Sequence, residues 1–413
     1  MGIKSTLGRS LGKSFPLGRS RDLAGTGTGG AAKHDQLNSR YVGARAKIVE
    51  DAPYVEATGG STSEPGDGYK YHIYTNATPG PTCNFTVTSP GPIEYIVVGG
   101  GGGGGGHAGG GGGGAGGVRT NIVGHPRAGD PYTVNPGLHV IQIGDGGNGA
   151  PPSGDPQPAP TAGTPGGNTN FYPDPASYPA TSYIRAAGGG RGGGGNPQTQ
   201  FDRALPAPPG GSTGETGGCG GGTGSAQASN PYWTAVNPGV IADPNHPEVQ
   251  GYKGGSTTSQ NYGGGGGGAG GVGASPNPTN TSGAACGGRG GCGGIGVGFP
   301  LPMIGGPTLA PSHGADGPTT EPYGSGGRWF GGGGGGGCHA PGNGGPGGGG
   351  ISYPGPETYA GGGHGTPAGD GTDYPGTAHT GGGGSGAGGQ QGAFADDGGD
   401  GGSGWCMIRY QVQ

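Results

Sequence analysis

Residues 95–118 read YIVVGGGGGGGGHAGGGGGGAGGV, a short apolar strand that runs directly into glycine blocks of eight and six residues. The same transition returns at 261–272 (NYGGGGGGAGGV) and 329–338 (WFGGGGGGGC), with looser versions at 186–195 and 380–389. An isolated glycine run is a flexible linker, because ordering each glycine costs roughly 1 to 2 kcal/mol. Repeated glycine blocks that are separated by aliphatic and aromatic residues instead favour an ordered arrangement.

Extended glycine segments can adopt the left-handed, three-residue helix of the polyproline II type, which makes no internal hydrogen bonds. The amides and carbonyls of such a helix therefore need partners on neighbouring segments. Only glycine leaves room for neighbours on all sides. We expect the blocks to form one bundle of polyglycine II helices.

Composition limits what the rest of the chain can form. The 413 residues include 122 Gly and 41 Pro, while 27% are apolar and 10% are charged. An ordinary globular core along the whole length is therefore excluded, and little helix is expected. No run of eighteen apolar residues predicts a membrane span, and the start MGIKSTLGRSLGKSF lacks the apolar core of a signal peptide. We expect no membrane insertion.

Short runs of β-branched and aromatic residues lie between Gly, Pro and Asn turns, a pattern typical of strands. Three such runs precede the first glycine block, and we expect them to form an antiparallel sheet. A final run, 405–412 (WCMIRYQV), is predicted to pair with that first sheet and close the domain. The first three predicted strands are 69–75, 83–88 and 93–98. The strands predicted after the first glycine block are 132–134, 139–143, 168–171 and 182–185. The predicted fold class is mainly β, with short antiparallel strands framing the polyglycine II bundle.

Charge and composition divide the chain into three parts. An extended basic N-terminal arm spans 1–58, a linker with the first strands spans 59–98, and the glycine-rich domain with exposed loops spans 99–413. Residues 1–47 carry nine Lys/Arg against two Asp, a net charge of +7. The remaining ten basic and twenty-two acidic residues give −12, so the arm is predicted to be a separate functional unit.

The arm repeats the motifs LGRS, LGKS and LGRS at 7–10, 11–14 and 17–20. The leucines of these motifs could anchor the arm on another protein while its cations contact an acidic surface of that protein. We therefore expect the arm to be a docking site for another protein. Nucleic-acid binding and a solvated tail are the alternatives, although Phe15 is the arm's one candidate for base stacking within the repeats. The candidate attachment residues are Leu7, Arg9, Leu11, Lys13, Leu17, Arg19 and Arg21.

No catalytic constellation is visible. The sequence contains no HExxH, GxSxG or EF-hand pattern, and GxGxxG matches carry no information inside polyglycine. Asp396, Asp397 and Asp400 could bind calcium, but solvated turn residues explain them equally well. We therefore expect neither an enzyme nor a cofactor.

The six cysteines form no CxxC motif, and the closest pair is Cys286 and Cys292. A zinc site with His339 or His364 would match no known ligand spacing. We expect reduced cysteines that act as small hydrophobic residues, with a later disulfide left open.

Long proline-rich and aromatic excursions at 196–209, 225–251 and 299–322 read as exposed loops. Aromatic side chains in or beside them are candidates for contact with a partner, because they offer a large contact area at low entropic cost. The alternative is that they pack in a core or cap the bundle. These candidates are Tyr232, Trp233, Trp329 and Phe330.

The order of these segments resembles the glycine-rich domain of bacteriophage tail-fibre proteins over about residues 69–413. The residues that carry the resemblance are YKYHIYT, CNFTVT, IEYIVVGGGGGGG, GGAGGV, YTVNPG with VIQIGDGG, GGNTNF with IRAAGGG, and the terminal GGSGWCMIRYQV. The resemblance implies a polyglycine II bundle and loops that contact the host surface, as in adhesins at the tips of long tail fibres.

This resemblance also implies a location in the virion, with assembly in the host cytoplasm. The expected partners are other virion proteins, held through the arm, and a host receptor of protein or glycan nature. A homotrimer stays open, and no nucleic-acid partner is expected. A purely structural virion component without receptor binding, such as a head fibre, neck or decoration protein, is the alternative function.

Overall fold

The computed structural model divides into two compact units, Met1–Pro53 and Tyr54–Gln413. All described residues belong to the second unit, whose start at Tyr54 precedes the boundary expected at residue 58. The described residues are 54–75, 82–107, 109–151, 162–172, 183–195, 218–224, 250–257, 261–276, 290–309, 313–317, 327–339, 359–367, 372–389 and 397–412.

The fold is mainly β with antiparallel pairing, as predicted. A single-turn 3-10 helix at Leu301–Ile304 and the single-turn α1 at Gly306–Leu309 are its helical elements within the described residues. The strands β1–β13 are Glu56–Thr58, Ser61–Ser63, Tyr69–Thr75, Thr82–Ser89, Gly91–Val98, Val118–Thr120, Tyr132–Val134, Gly137–Gln142, Thr169–Tyr172, Ile184–Ala186, Val297–Phe299, Arg328–Phe330 and Trp405–Gln411.

The C-terminal strand β13 is the centre of the six-stranded sheet. The order of that sheet is β2-β3-β13-β5-β6, and β7 pairs with the first half of β5. Trp405 lies opposite Thr75 of β3 and Val98 of β5, so the last strand joins two strands from the start of the domain. The predicted closure by this strand is confirmed, and the burial of six of its seven residues follows from its central position.

The strand β4 belongs to a second sheet, in the order β1-β4-β8-β9-β10. The expectation that the first three strong strands form one sheet was therefore wrong. Both inner edges of β3 and β5 are taken by β13, so β4 pairs instead with β1 and β8. Its buried Phe85 and Val87 face the six-stranded sheet across a shared core.

Two hydrophobic cores lie on opposite faces of the six-stranded sheet. Tyr95 and Val97 of β5 enter the first core, between the two sheets. Ile96 and Val98 enter the second core, which is covered by the β11–β12 pair and the 3-10 helix. Because β5 is buried on both faces, its apolar residues run without alternation.

The glycine segments form parallel and antiparallel rods beside the sheets. We number the described rods 1–14 in chain order: 99–106, 110–117, 144–150, 163–167, 187–195, 218–224, 250–257, 263–269, 271–275, 291–296, 331–338, 360–366, 381–389 and 398–404. Their backbone hydrogen bonds run between rods. This is the pattern expected of polyglycine II helices, which have no internal hydrogen bonds.

Rod 1 shows the three-residue repeat directly. Gly99, Gly102 and Gly105 donate to carbonyls of rod 2, the next residue of each turn donates to rod 4, and the third donates to rod 14. The carbonyls of rod 1 accept amides from rods 3, 5 and 13. Rod 1 therefore has six hydrogen-bonded neighbours, and three residues per turn supply the three donor directions.

Rods 2 and 8 have the same environment. Rod 2 bonds rods 1, 5, 6, 8, 11 and 13, and rod 8 bonds rods 2, 6, 7, 9, 10 and 11. A Cβ atom added at Gly113 or Gly266, in the middle of these rods, would come closer than 3.0 Å to a backbone carbonyl of the next rod. The interior therefore requires glycine for steric reasons, as the sequence predicts.

Candidate functional site: the loop end of the bundle

The bundle has two different ends. Rod 1 starts directly after β5 at Gly99, and rod 2 runs back into β6, so this end is joined to the sheets. Ala115 of rod 2 and Ala269 of rod 8 contribute their methyl groups to the second core there. We call this the sheet end and the opposite one the loop end.

At the loop end, the chain leaves the rods and continues into long connections. The bonds from Gly104 to rod 14, from Ala150 to Gly104 and from Gly195 to Gly106 place the ends of rods 3 and 5 and the start of rod 14 at this level. The described residues that border connections at the loop end are 107, 151, 162, 195, 224, 257, 261, 276, 290, 339, 367, 389 and 397. The loop end is thus the part of the bundle from which sequence can vary without entering the rods.

Rods at the perimeter have a distinct sequence pattern. In rod 3, which reads GDGGNGA, Asp145 and Asn148 are exposed, while Gly144 and Gly147, which directly precede them, are buried. Rod 9 repeats this spacing with Val272 and Ser275. In a three-residue helix every third residue faces the same direction, so one row can carry side chains into solvent. This three-residue spacing is a sequence signal for perimeter rods that the sequence analysis missed.

The expected contact aromatics separate into two groups. Tyr232 and Trp233 lie outside the described residues. Trp329 is 4% exposed and Phe330 is 0% exposed, so neither presents its ring at the surface. Trp329 exchanges two backbone hydrogen bonds with Ala315, of 2.8 and 2.9 Å.

Phe330 packs at the sheet end of the bundle. Its ring stacks on Trp405 at a centroid distance of 4.8 Å and meets Phe299 edge to face at 5.9 Å. The expectation that Trp329 and Phe330 contact a partner is therefore corrected, because Phe330 lies in the second core and the Trp329 ring is buried beside Gly298 and Gly317. The alternative weighed from the sequence, core packing, describes them. The attachment candidates Leu7, Arg9, Leu11, Lys13, Leu17, Arg19 and Arg21 lie outside the described residues.

A buried ion pair ties the sheet end together. Arg409 of β13 is 6% exposed, and its Nη2 lies 2.7 Å from Glu94 Oε2. Its Nη1 donates to the backbone carbonyls of Pro302 and Met303 at 3.1 and 3.0 Å, and its guanidinium lies 4.3 Å from the centroid of the Tyr69 ring. Burial opposes the charge of Arg409, but Glu94 and Tyr71 raise its pKa overall. The arginine therefore holds the 3-10 helix against β13, a role that the sequence analysis missed.

Six described histidines have a pKa lowered by burial, so each is neutral in the folded protein near pH 7. His72 is 0% exposed, with Nδ1 2.7 Å from the Gly59 carbonyl oxygen and Nε2 3.1 Å from the Tyr410 hydroxyl. The group consists of His72, His125, His313, His339, His364 and His379.

We expect the free energy of unfolding to fall as the pH falls below 6.5, the ordinary value of a histidine. The unfolded chain then binds protons that the folded chain, with its lowered pKa values, does not bind, so protonation favours unfolding. Each such histidine contributes at most about 1.4 kcal/mol per pH unit. Urea denaturation at several pH values between 7.5 and 5 measures this slope. His72→Gln should reduce the slope, and a stability that rises on acidification would contradict the argument.

The cysteines are of two kinds. Cys219, Cys338 and Cys406 are buried and form no disulfide bond, as expected of small hydrophobic residues. Burial raises the pKa of the Cys219 thiol to about 12, so this thiol is unreactive near neutral pH. Cys292 of rod 10 is disulfide-bonded, so for this cysteine the disulfide that the sequence left open replaces the expected reduced thiol. Its partner lies outside the side chains that the structure describes.

The described residues contain no group of three or more His, Cys, Asp or Glu side chains that could hold a metal ion. Asp400, one of the calcium candidates, uses its Oδ1 to accept the amide of Gly149 at 2.7 Å. Asp396 is outside the described residues. In the same part of the chain, no helix has the length and apolar character needed to cross a bilayer.

Comparison with known proteins agrees with this architecture. A family model described as a glycine-rich domain matches residues 77–353, which is 277 of the 413 residues. No curated protein matches the chain. Because the model covers more than half of the chain, and because the matched region contains rods 1–11 with their six-neighbour interior, the protein belongs to the glycine-rich domain family.

Proposed function

We propose that the protein is a fibre protein of a phage virion that recognises the host surface through the connections at the loop end. The observation that carries the proposal is the polarity of the described unit. Its first residue, Tyr54, leads into β1 at the sheet end, whereas the rods release their connections at the opposite end. A body with this polarity can be held at one end and make contact at the other.

The bundle is suited to be a rigid spacer in such a fibre. Its interior rods make a hydrogen bond with their neighbours at successive residues, and at Gly113 and Gly266 the neighbouring backbone leaves no room for a Cβ atom. The connections lie outside the rods, so their sequences can change without altering the bundle. The rigid bundle then holds binding residues on these loops in fixed positions. In this proposal the basic arm at 1–58 attaches to other virion proteins, and the protein is not an enzyme.

Binding of the fluorescently labelled full-length protein to a panel of bacteria tests the proposal. Saturable binding to one host, and competition with adsorption of the phage that infects it, are expected. Replacing residues 277–289, whose flanking residues 276 and 290 lie at the loop end, by a Gly/Ser segment of equal length should weaken binding at least about tenfold. We expect this because loss of a single hot-spot residue costs about 2 kcal/mol or more, and about 1.4 kcal/mol already corresponds to a tenfold change in affinity.

Val123→Ser is the matched control, since Val123 is 77% exposed but follows β6 at the sheet end. This variant should bind cells as the natural protein does. If the folded protein binds no host and fails to compete with adsorption, the receptor-binding proposal is lost and the structural virion component becomes the better account.

A further inference from the structure

We propose that the row of rod 5 marked by Arg191 binds an oxyanion, a carboxylate or a phosphate, from solution. Rod 5 reads AGGGRGGGG over 187–195, so Arg191 is its single side chain longer than a methyl group. The proposal does not rest on the proposed function, because oxyanion binding is a property of the isolated protein. If the anion belongs to a surface glycan, the site would add a receptor contact on the side of the bundle.

The amides of rod 5 indicate which side of the rod lacks a neighbour. Gly189 and Gly192 donate to rod 1, and Gly190 and Gly193 donate to rod 6. The third row, at residues 188, 191 and 194, faces a direction in which none of the described rods provides carbonyls. In the described part of the chain, the amides of Arg191 and Gly194 have no hydrogen-bond acceptor.

The first position of this row shows what the row accepts. The Gly188 amide donates to the side-chain oxygen Oδ1 of Asn168 at 2.9 Å. Successive positions of the row are about 9 Å apart, because the helix rises about 3.1 Å per residue. The amide of Arg191 is therefore the next donor on the same face, and an oxygen atom is the partner that this face takes.

Arg191 places a positive charge beside its own backbone amide, which has no acceptor among the described residues. The side chain is partly buried, and its Nε is buried without a hydrogen-bond partner among the described residues. Burial lowers the pKa of Arg191, and no carboxylate opposes that effect. Burial of a charged group normally comes with a partner, so a partly buried guanidinium whose Nε lacks one among the described residues points to an anionic ligand. An oxyanion has the two or more acceptor oxygens needed to bond both groups.

NMR titration of the ¹⁵N-labelled full chain tests the site, with inorganic phosphate, glucuronate and chloride added at matched ionic strength. We expect saturable shifts of the Arg191 and Gly194 amides and of the Arg191 Nε–H signal with phosphate or glucuronate, and no saturation with chloride. Comparison of the two oxyanions shows whether a phosphate or a sugar carboxylate is preferred. Arg191→Met, which keeps the aliphatic stem, should weaken binding at least tenfold.

Lys253→Met is the matched control, because Lys253 is an exposed cation on rod 7, and its binding should equal that of the natural protein. Saturation that Arg191→Met leaves unchanged would overturn the proposal, as would the absence of saturation with both oxyanions. A second measurement separates the case of an internal partner. If a carboxylate of the chain itself neutralises Arg191, Arg191→Met will lower the Tm in chloride and neither oxyanion will raise the Tm of the natural protein.

Discussion

Replacement of Gly113 by alanine is expected to prevent the bundle from forming or to lower the free energy of unfolding by at least about 3 kcal/mol, the upper range for overpacking a core. The new Cβ would lie closer than 3.0 Å to the Gly102 carbonyl of rod 1. That carbonyl cannot move away freely, because it accepts the Gly384 amide at 2.9 Å. Gly113 itself donates to Gly384 and accepts from Gly334, so its own rod is held as well.

Gly271→Ala is the matched control for this substitution. The nearest atom to a Cβ at Gly271 is the Cγ2 methyl of Ile295, at 3.0 Å, which can turn aside. We expect a change within about 1 kcal/mol, and a gain is consistent with the reduced freedom of the unfolded chain. Calorimetry of the full chain measures both variants. Equal stability of Gly113→Ala and Gly271→Ala would show that the close contacts between rods do not determine the requirement for glycine.

Removal of the Arg409 charge is expected to have the second large effect. Arg409→Met should lower the free energy of unfolding by about 3–5 kcal/mol, because it leaves the buried Glu94 carboxylate without its partner. The two side chains are 7% and 16% exposed, and the pair is also linked to the 3-10 helix through the Pro302 and Met303 carbonyls. Urea denaturation monitored by tryptophan fluorescence follows the loss, since Trp405 lies on the same strand.

A double-mutant cycle separates the unpaired charge from the lost packing. Glu94→Gln keeps an oxygen that can accept the Val123 amide, a bond of 2.8 Å in the structure. The double variant Arg409→Met/Glu94→Gln should therefore lose less than the sum of the single variants. Lys70→Met, which removes a surface pair with Glu64 at 3.3 Å, should cost no more than about 1 kcal/mol. Additive losses in the cycle would contradict the role of the Arg409–Glu94 pair.

Local sequence patterns were sufficient to predict the longer strands of the six-stranded sheet. The alternation in 69–75 and the apolar run ending at Val98 predicted β3 and β5, and the closing strand was found at Trp405–Gln411. A strand buried on both faces needs apolar residues at successive positions, so its existence is visible in the sequence. The short β6 and β12 beside the glycine blocks were not predicted, although β7, which is also three residues long, was.

The candidate site was less predictable. An aromatic residue next to a glycine block reads equally well as an exposed contact or as part of a core, and Trp329 and Phe330 proved to be core residues. Arg409 lies in WCMIRYQV, where alternation alone suggests an exposed position. Its pairing with Glu94 became apparent only when β13 was placed next to β5.

The sequence by itself determined that the chain builds a glycine bundle with β-strands at its side. The reason is that the backbone N–H and C=O groups of an ordered glycine block can form hydrogen bonds only with neighbouring segments. Strands, in turn, are recognisable in the sequence by their local periodicity. The three-residue spacing in GDGGNGA even marks a rod that faces solvent. Only the tertiary structure decided which rods are neighbours, since one glycine block has the same surface as another and carries no information about register or partner. The tertiary structure likewise decided that the amides of Arg191 and Gly194 in rod 5 have no acceptor among the described residues, because this depends on where rods 1, 4 and 6 pack.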